Sequence, residues 1–239
     1  MAERSNADER RRALLVRALA AGAYATAGPL AAEVLGRRPA PLPAGRSIYL
    51  LDGEVTVNGV PATIDTPIRA GDRVVTKAGG RVVFVVGQDA FILRGGSELE
   101  LAPAPREFMV EALRLVTGKL LSVFGKTRHQ VRTPVATIGI RGTGLYVESE
   151  PDRSYVCTCY GETVIGATDD TAVSETVVSR HHDAARYVLA GGAGADRLRP
   201  APFINHTDDE LALIEALVGR TPPFVLPGDS YSTPRRSDY

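Results

Sequence analysis

Both cysteines of the chain fall in Cys157-Thr158-Cys159, and two of its four histidines are adjacent, His181-His182. A third, His206, stands just ahead of Asp208 and Asp209. Thiolate and imidazole together form a ligand set for Zn or Cu(I). Side chains alternate along a strand, so Cys157 and Cys159 would share one side. By the same rule His181 and His182 would point apart, unless they lie in a turn, which the following Asp183 favours. Three chemistries are open. The thiols could be structural, packed or joined as a disulfide, although same-side residues two apart sit about 7 Å apart, at the edge of disulfide reach. They could bind a soft metal with one or two of His181, His182 and His206. They could also form a redox pair, but one intervening residue is not the usual two of zinc and thioredoxin motifs. His206 reads equally well as a solvated residue before a helix. His129, in a polar basic stretch, receives no role.

Other chemistry finds little footing, and the chain reads as non-enzymatic. Ser154 and Ser179 lie in no nucleophile elbow. Asp65, Asp72 and Asp89 sit at turns, where carboxylates serve the backbone. The glycines of Ala190–Gly194 precede neither a Walker lysine nor a Rossmann helix. Lys plus Arg and Asp plus Glu both number 28, a balance that gives no electrostatic footprint for nucleic acid.

The elements that must position these residues are mostly strands. With 24 Gly and 16 Pro, the chain is punctuated by turns at Asn58-Gly59, Gly71-Asp72, Gly79-Gly80, Gln88-Asp89 and Gly95-Gly96. Short apolar runs at roughly 8–12 residue spacing between them predict an all-β domain. Residues 106–125 fit either period. Phe108, Val110 and Ala112 alternate, while Leu113, Val116, Leu120 and Val123 could line a helix. Gly118 weighs against the helix, and the segment is read as two strands turning at Thr117-Gly118-Lys119. One helix is expected at Asp208–Val218. Thr207 and Glu210 form a capping box, Leu211, Ile214, Leu217 and Val218 share a face, and Gly219 with Pro222-Pro223 ends it.

At the N-terminus, Arg11-Arg12-Ala13-Leu14-Leu15 resembles a twin-arginine signal, interrupted by Arg17. The uncharged stretch Ala18–Ala32 is short for a bilayer span, and Ala25-Thr26-Ala27 offers a cleavage site before Gly28. Residues 1–27 are therefore an expected export signal, with a retained anchor as a variant and an attached Ala-rich helix as the alternative. Residues 28–46 follow as a Pro-rich linker, and the polar residues 226–239 are an expected disordered tail.

One stretch carries a family signature. In Thr133–Glu148, Ile138 and Ile140 share a side, and Leu145 and Val147 continue the apolar series after an odd step of five. A Gly-centred bulge at Arg141-Gly142-Thr143-Gly144 would flip the parity in this way. Upstream lie Gly53–Gly59 (G-x-V-x-V-N-G) and Gly71, Asp72, Val74 and Thr76 (GD-x-V-x-T). Downstream of these come Thr133, Pro134, Ala136, Arg141, Gly142, Thr143, Leu145 and Val147. In this order, residues 46–166 resemble the FecR-type periplasmic sensory domain, with Leu145 in place of the usual aromatic.

The resemblance implies a solenoid-like roll of short strands, where pattern alone also admits a sandwich. It also implies that Val156 and Thr158 face the core, so that Cys157 and Cys159 point away from it. Arg141 is expected to hold the bulge through strand carbonyls or a carboxylate, with ligand contact as the alternative. FecR-type domains are similar to the sensor halves of cell-surface signalling proteins, which pass a signal from an outer-membrane transporter to a sigma factor. Fewer than about 50 residues precede the domain here, too few for that output.

The expectation is thus an all-β domain over 47–166 and an extension with one capped helix over 167–225. Its function would be that of an exported, periplasmic, non-enzymatic binding or signalling module without a cytoplasmic output. Its partner would be another envelope protein or a small ligand, with no nucleic acid, no membrane span in the mature form and no cofactor. The alternative is a Zn or Cu site, or a redox sensor, built on Cys157 and Cys159.

Overall fold

A computed structural model describes residues 39–224 apart from residue 193. The expected export signal and C-terminal tail, and most of the linker, lie outside the described residues. The described residues from Ala40 onward belong to one compact unit. Among the described residues fourteen strands share one continuous, almost wholly antiparallel sheet. They are β1 (Ile48–Asp52), β2 (Val55–Val57), β3 (Val60–Pro61), β4 (Arg73–Thr76), β5 (Arg81–Val86), β6 (Asp89–Leu93) and β7 (Glu98–Leu101), then β8 (Ala112–Val123), β9 (Arg128–Arg132), β10 (Ala136–Ser149), β11 (Arg153–Ala167), β12 (Ser174–Ser179), β13 (Ala185–Leu189) and β14 (Leu198–Ala201). One α-helix, α1 (Asp208–Leu217), follows. The all-β architecture with a single C-terminal helix is as the turn spacing and capping box predicted. No helix among the described residues is long and apolar enough to cross a membrane.

The three long strands make the roll by changing partners midway. β8 pairs with β7 and β9 up to Thr117, then with β6 and β10 from Gly118. This corrects the reading of residues 106–125. The chain does not reverse at Thr117-Gly118-Lys119 but bends, with Gly118 at φ +93° and a bulge opposite β7. β10 runs against β9 over Thr137–Arg141 and against β8 over Gly144–Ser149. The outer edge of β11 carries β13 along Arg153–Val156 and β12 along Gly161–Gly166. Between those two partners lie residues 157–160.

Alternation divides the buried residues into two layers. Val82, Leu93, Leu120, Val147 and Val156 lie in register across five strands and belong to the main apolar core. One position along, Val83, Ile92, Leu121, Tyr146 and Cys157 form a parallel row on the opposite face. These are also fully buried, because the C-terminal segment covers them. α1 packs on β6 and β8 with Leu211, Ile214 and Leu217 inward.

The helix begins as expected. The Thr207 hydroxyl accepts from Glu210 N (3.3 Å), and Glu210 Oε2 accepts from Thr207 N (3.1 Å). Glu210 also binds Arg81 (2.7 Å) and Arg94 (2.9 Å), tying the helix start to the sheet. Burial pulls the Arg81 guanidinium below its ordinary range, against the pull of Glu210. At the other end Tyr160 donates to Glu215, which Arg220 also engages.

Candidate metal centre

The break in the outer edge of β11 builds the site. β12 and β13 are joined by residues 180–184, and this connection crosses the stretch of β11 that neither strand covers. His182 N donates to the Cys159 carbonyl (2.9 Å) in place of a strand partner. His182 adopts a left-handed conformation (φ 58°), and Asp183 accepts from Arg180 N (2.7 Å) and His181 N (3.3 Å). The histidine pair therefore lies in a turn, as Asp183 suggested.

Two bulges set the cysteines. In β10 the register slips between Arg141 and Gly144, and in β11 it slips back at Cys159, which has no partner opposite it. Ile138, Ile140, Leu145 and Val147 all reach the core, so the parity flip read from the odd spacing is present. Its compensating partner in β11 was not read from the sequence. Cys157 and Tyr155 share the outer side, while Val156 joins the core and Thr158 lies buried opposite Leu145. The thiols thus point off the core, as the FecR resemblance implied, but not into solvent. Both are free and fully buried.

His182 Nδ1 lies 3.6 Å from Cys157 Sγ, His206 Nε2 lies 3.4 Å from Cys159 Sγ, and the two nitrogens are 3.1 Å apart. All four ligand atoms fall within 4.8 Å of one another. A tetrahedral Zn with Zn–S near 2.3 Å and Zn–N near 2.0–2.1 Å requires ligand–ligand distances of roughly 3.3–3.8 Å. The three separations above lie close to that range.

Each imidazole is held by its other nitrogen. His206 Nδ1 faces the Ile204 carbonyl (2.7 Å) and His182 Nε2 faces Asp208 Oδ1 (3.0 Å). Both partners only accept, so those nitrogens carry the protons. In the neutral rings the remaining lone pairs, on His206 Nε2 and His182 Nδ1, then face each other. Two lone pairs at that distance repel unless a proton or a metal ion lies between them. Aromatic rings fix the planes: Tyr146 stacks on His206 (centroids 4.4 Å), and Phe203 sits 4.4 Å from His182.

The surroundings shift the titration of these groups in opposite directions. Burial alone would push the Cys157 thiol up, but hydrogen bonds from Cys159, His182 and His206 outweigh it and hold Cys157 well below its ordinary range. Cys159 is pushed well up, by burial and by its neighbour Cys157. Burial would lower His182, yet its hydrogen bonds to Asp208 and Cys157 raise it to about 9.

His181 stands outside this group. Its Nε2 lies 2.8 Å from Asp208 Oδ2, and its side chain is 43% exposed, against 7% for His182. Nothing local in the sequence marks Asp208 as the acceptor for two histidines 26 and 27 positions earlier.

The motif residues around Gly71, Thr133 and Arg141 serve the fold. Gly71 turns at φ +90°, and Asp72 closes its turn by accepting from Arg69 N (2.7 Å) and Asn58 Nδ2 (2.7 Å). Thr133, beside Pro134, accepts from Ala136 N (2.8 Å). Thr143 donates across the bulge to the Glu162 carbonyl (3.1 Å), and Gly142 supplies φ +58°. Arg141 is the exception. It is exposed, and no hydrogen bond or ion pair of its side chain is found among the described residues, so the bulge is held by Thr143 instead.

No family model and no curated protein matches the chain. It is similar to two crystal structures, at 1.65 and 2.50 Å resolution, of a "putative anti-sigma factor" from Parabacteroides distasonis. The identities are 12% and 10% and the TM-scores 0.43 and 0.44. Each match spans 54% of this chain and 58% of the other, little more than half of either.

Proposed function

We propose that this chain is a non-enzymatic, FecR-type binding module whose C-terminal extension completes a soft-metal centre, with Cys157, Cys159, His182 and His206 as ligands to Zn(II) or Cu(I). One observation carries the reading: four ligand atoms from three separate segments converge within 4.8 Å. Four protein ligands, all nearly buried, describe a closed site that holds structure or senses the ion. Asp208 and the Ile204 carbonyl supply the outer hydrogen bonds that metal-bound histidines ordinarily have. The order and spacing of the Gly71, Thr133 and Arg141 motifs support the FecR-type part. The arginine pair and cleavage pattern before Gly28 support export to the periplasm, where the partner would be another envelope protein or a small ligand.

Metal analysis of the purified full chain, with a parallel thiol count, is the test. One Zn or Cu ion per chain is expected, together with thiols that react only after chelation. Replacing the ion with Co(II) should give thiolate-to-metal charge-transfer bands, and Cys157→Ser or His206→Ala should abolish them. A chain that takes up no Zn(II) or Cu(I) while both thiols remain reduced removes the metal reading and leaves packing as the role of the cysteines.

A further inference from the structure

The other edge of the His182 ring faces a second cluster of donors. His181, His182 and Asp208 each offer one ligand atom, and these three also lie within 4.8 Å of one another. Asp208 Oδ2 is 2.8 Å from His181 and Oδ1 is 3.0 Å from His182. We propose that these three residues form a second, open divalent-cation site, with the His182 ring bridging it to the inner centre. The inference rests on the inner site proposed above.

Charge argues for it first. A divalent ion between two thiolates and two neutral imidazoles leaves the inner site with no net charge. Asp208, whose side chain is only 9% exposed, then keeps its negative charge beside it. Arg81 and Arg94, near the same helix end, bind Glu210 and make no ion pair with Asp208 among the described residues. A cation between His181 and Asp208 would offset the Asp208 charge.

Access and rigidity argue second. The inner ligands are buried, whereas His181 is 43% exposed, so the outer cluster opens to solvent. Three protein donors leave the remaining coordination positions to water, the arrangement of an exchangeable ion rather than a closed one. The donors are already fixed. Asp183 holds the turn, and the Phe224 ring stacks on His181 (centroids 4.3 Å, interplanar angle 27°). An outer ion takes the place of the Nε2 proton of His182, and that proton passes to water. With Nδ1 already on the inner ion, this loss makes the outer site the weaker of the two.

The test is the stoichiometry of Zn(II) on the full chain, followed by calorimetric titration and by metal analysis after gel filtration. Two ions per chain are expected, the second at least tenfold weaker and lost first on dilution. His181→Ala, at an exposed position, and Asp208→Asn, which keeps an acceptor for His182, should each bind one ion. One ion in the unsubstituted chain overturns this inference and leaves the inner centre intact. Two ions surviving in His181→Ala overturn it as well. No ion at all overturns the inner centre, and this inference with it.

Discussion

At the scale of single residues, the site depends on two bulges that face each other. Gly161 sits where they meet, at φ +92°, and a Cβ there would lie 2.7 Å from Thr143 Oγ1 and 2.8 Å from the Gly142 carbonyl. Alanine cannot occupy that space without moving backbone. Gly161→Ala should therefore cost about 1–3 kcal/mol in urea unfolding, from strain and overpacking together. An unchanged midpoint would mean that the close approach is not needed. The flip in β10 was legible because Ile140 and Leu145 are unmistakably apolar and the residues between them are not. Its partner in β11 was hidden because Val156, Cys157, Thr158 and Cys159 are all buried, one face by the core and the other by the extension. Where both faces of a strand are covered, alternation carries no signal.

At the scale of elements, α1 was legible to its first residue, because a capping box is local. Its docking was not. Glu210 closes the cap and also binds Arg81 and Arg94, which precede it by 129 and 116 positions. The two roles separate by substitution. Thr207→Ala removes only the cap and should cost about 1 kcal/mol. Glu210→Gln leaves a buried guanidinium without its charge partner and should cost more, about 3–5 kcal/mol. Equal losses in the two variants, read from urea midpoints, would show that the ion triad does not anchor the helix. The misread turn in β8 has the same origin. Gly118 looks like a hairpin glycine locally, but its strand is extended by β6 and β10, which the local sequence does not reveal.

At the scale of the whole molecule, the sheet has a core on one side and a helical cover on the other. A chain ending at Ala201 should retain its β-sheet signal in far-ultraviolet circular dichroism. It would also expose Val83, Ile92, Leu121 and Tyr146 as one apolar row. Strong binding of a hydrophobic dye and self-association on gel filtration are expected. A truncated chain that stays monomeric and dye-free would show that the cover is dispensable. The all-β class and the terminal helix followed from turn spacing and capping. That the extension belongs to the same unit, and lends the cysteines their histidines, depends on pairings across the sheet that no short window of sequence contains.

His206 lies 47 positions after Cys159, and the helix that seats it comes later still. Chains are made from the N-terminus. While a ribosome is still adding the last turns of α1, the two thiols already exist but their second imidazole has no fixed place. The four-donor pocket thus becomes available only once α1 has been made. A nascent or prematurely ended chain offers two loose thiols instead, exposed to whatever oxidant or stray metal its compartment holds. Ion retention would then report that the polypeptide had been extended through α1.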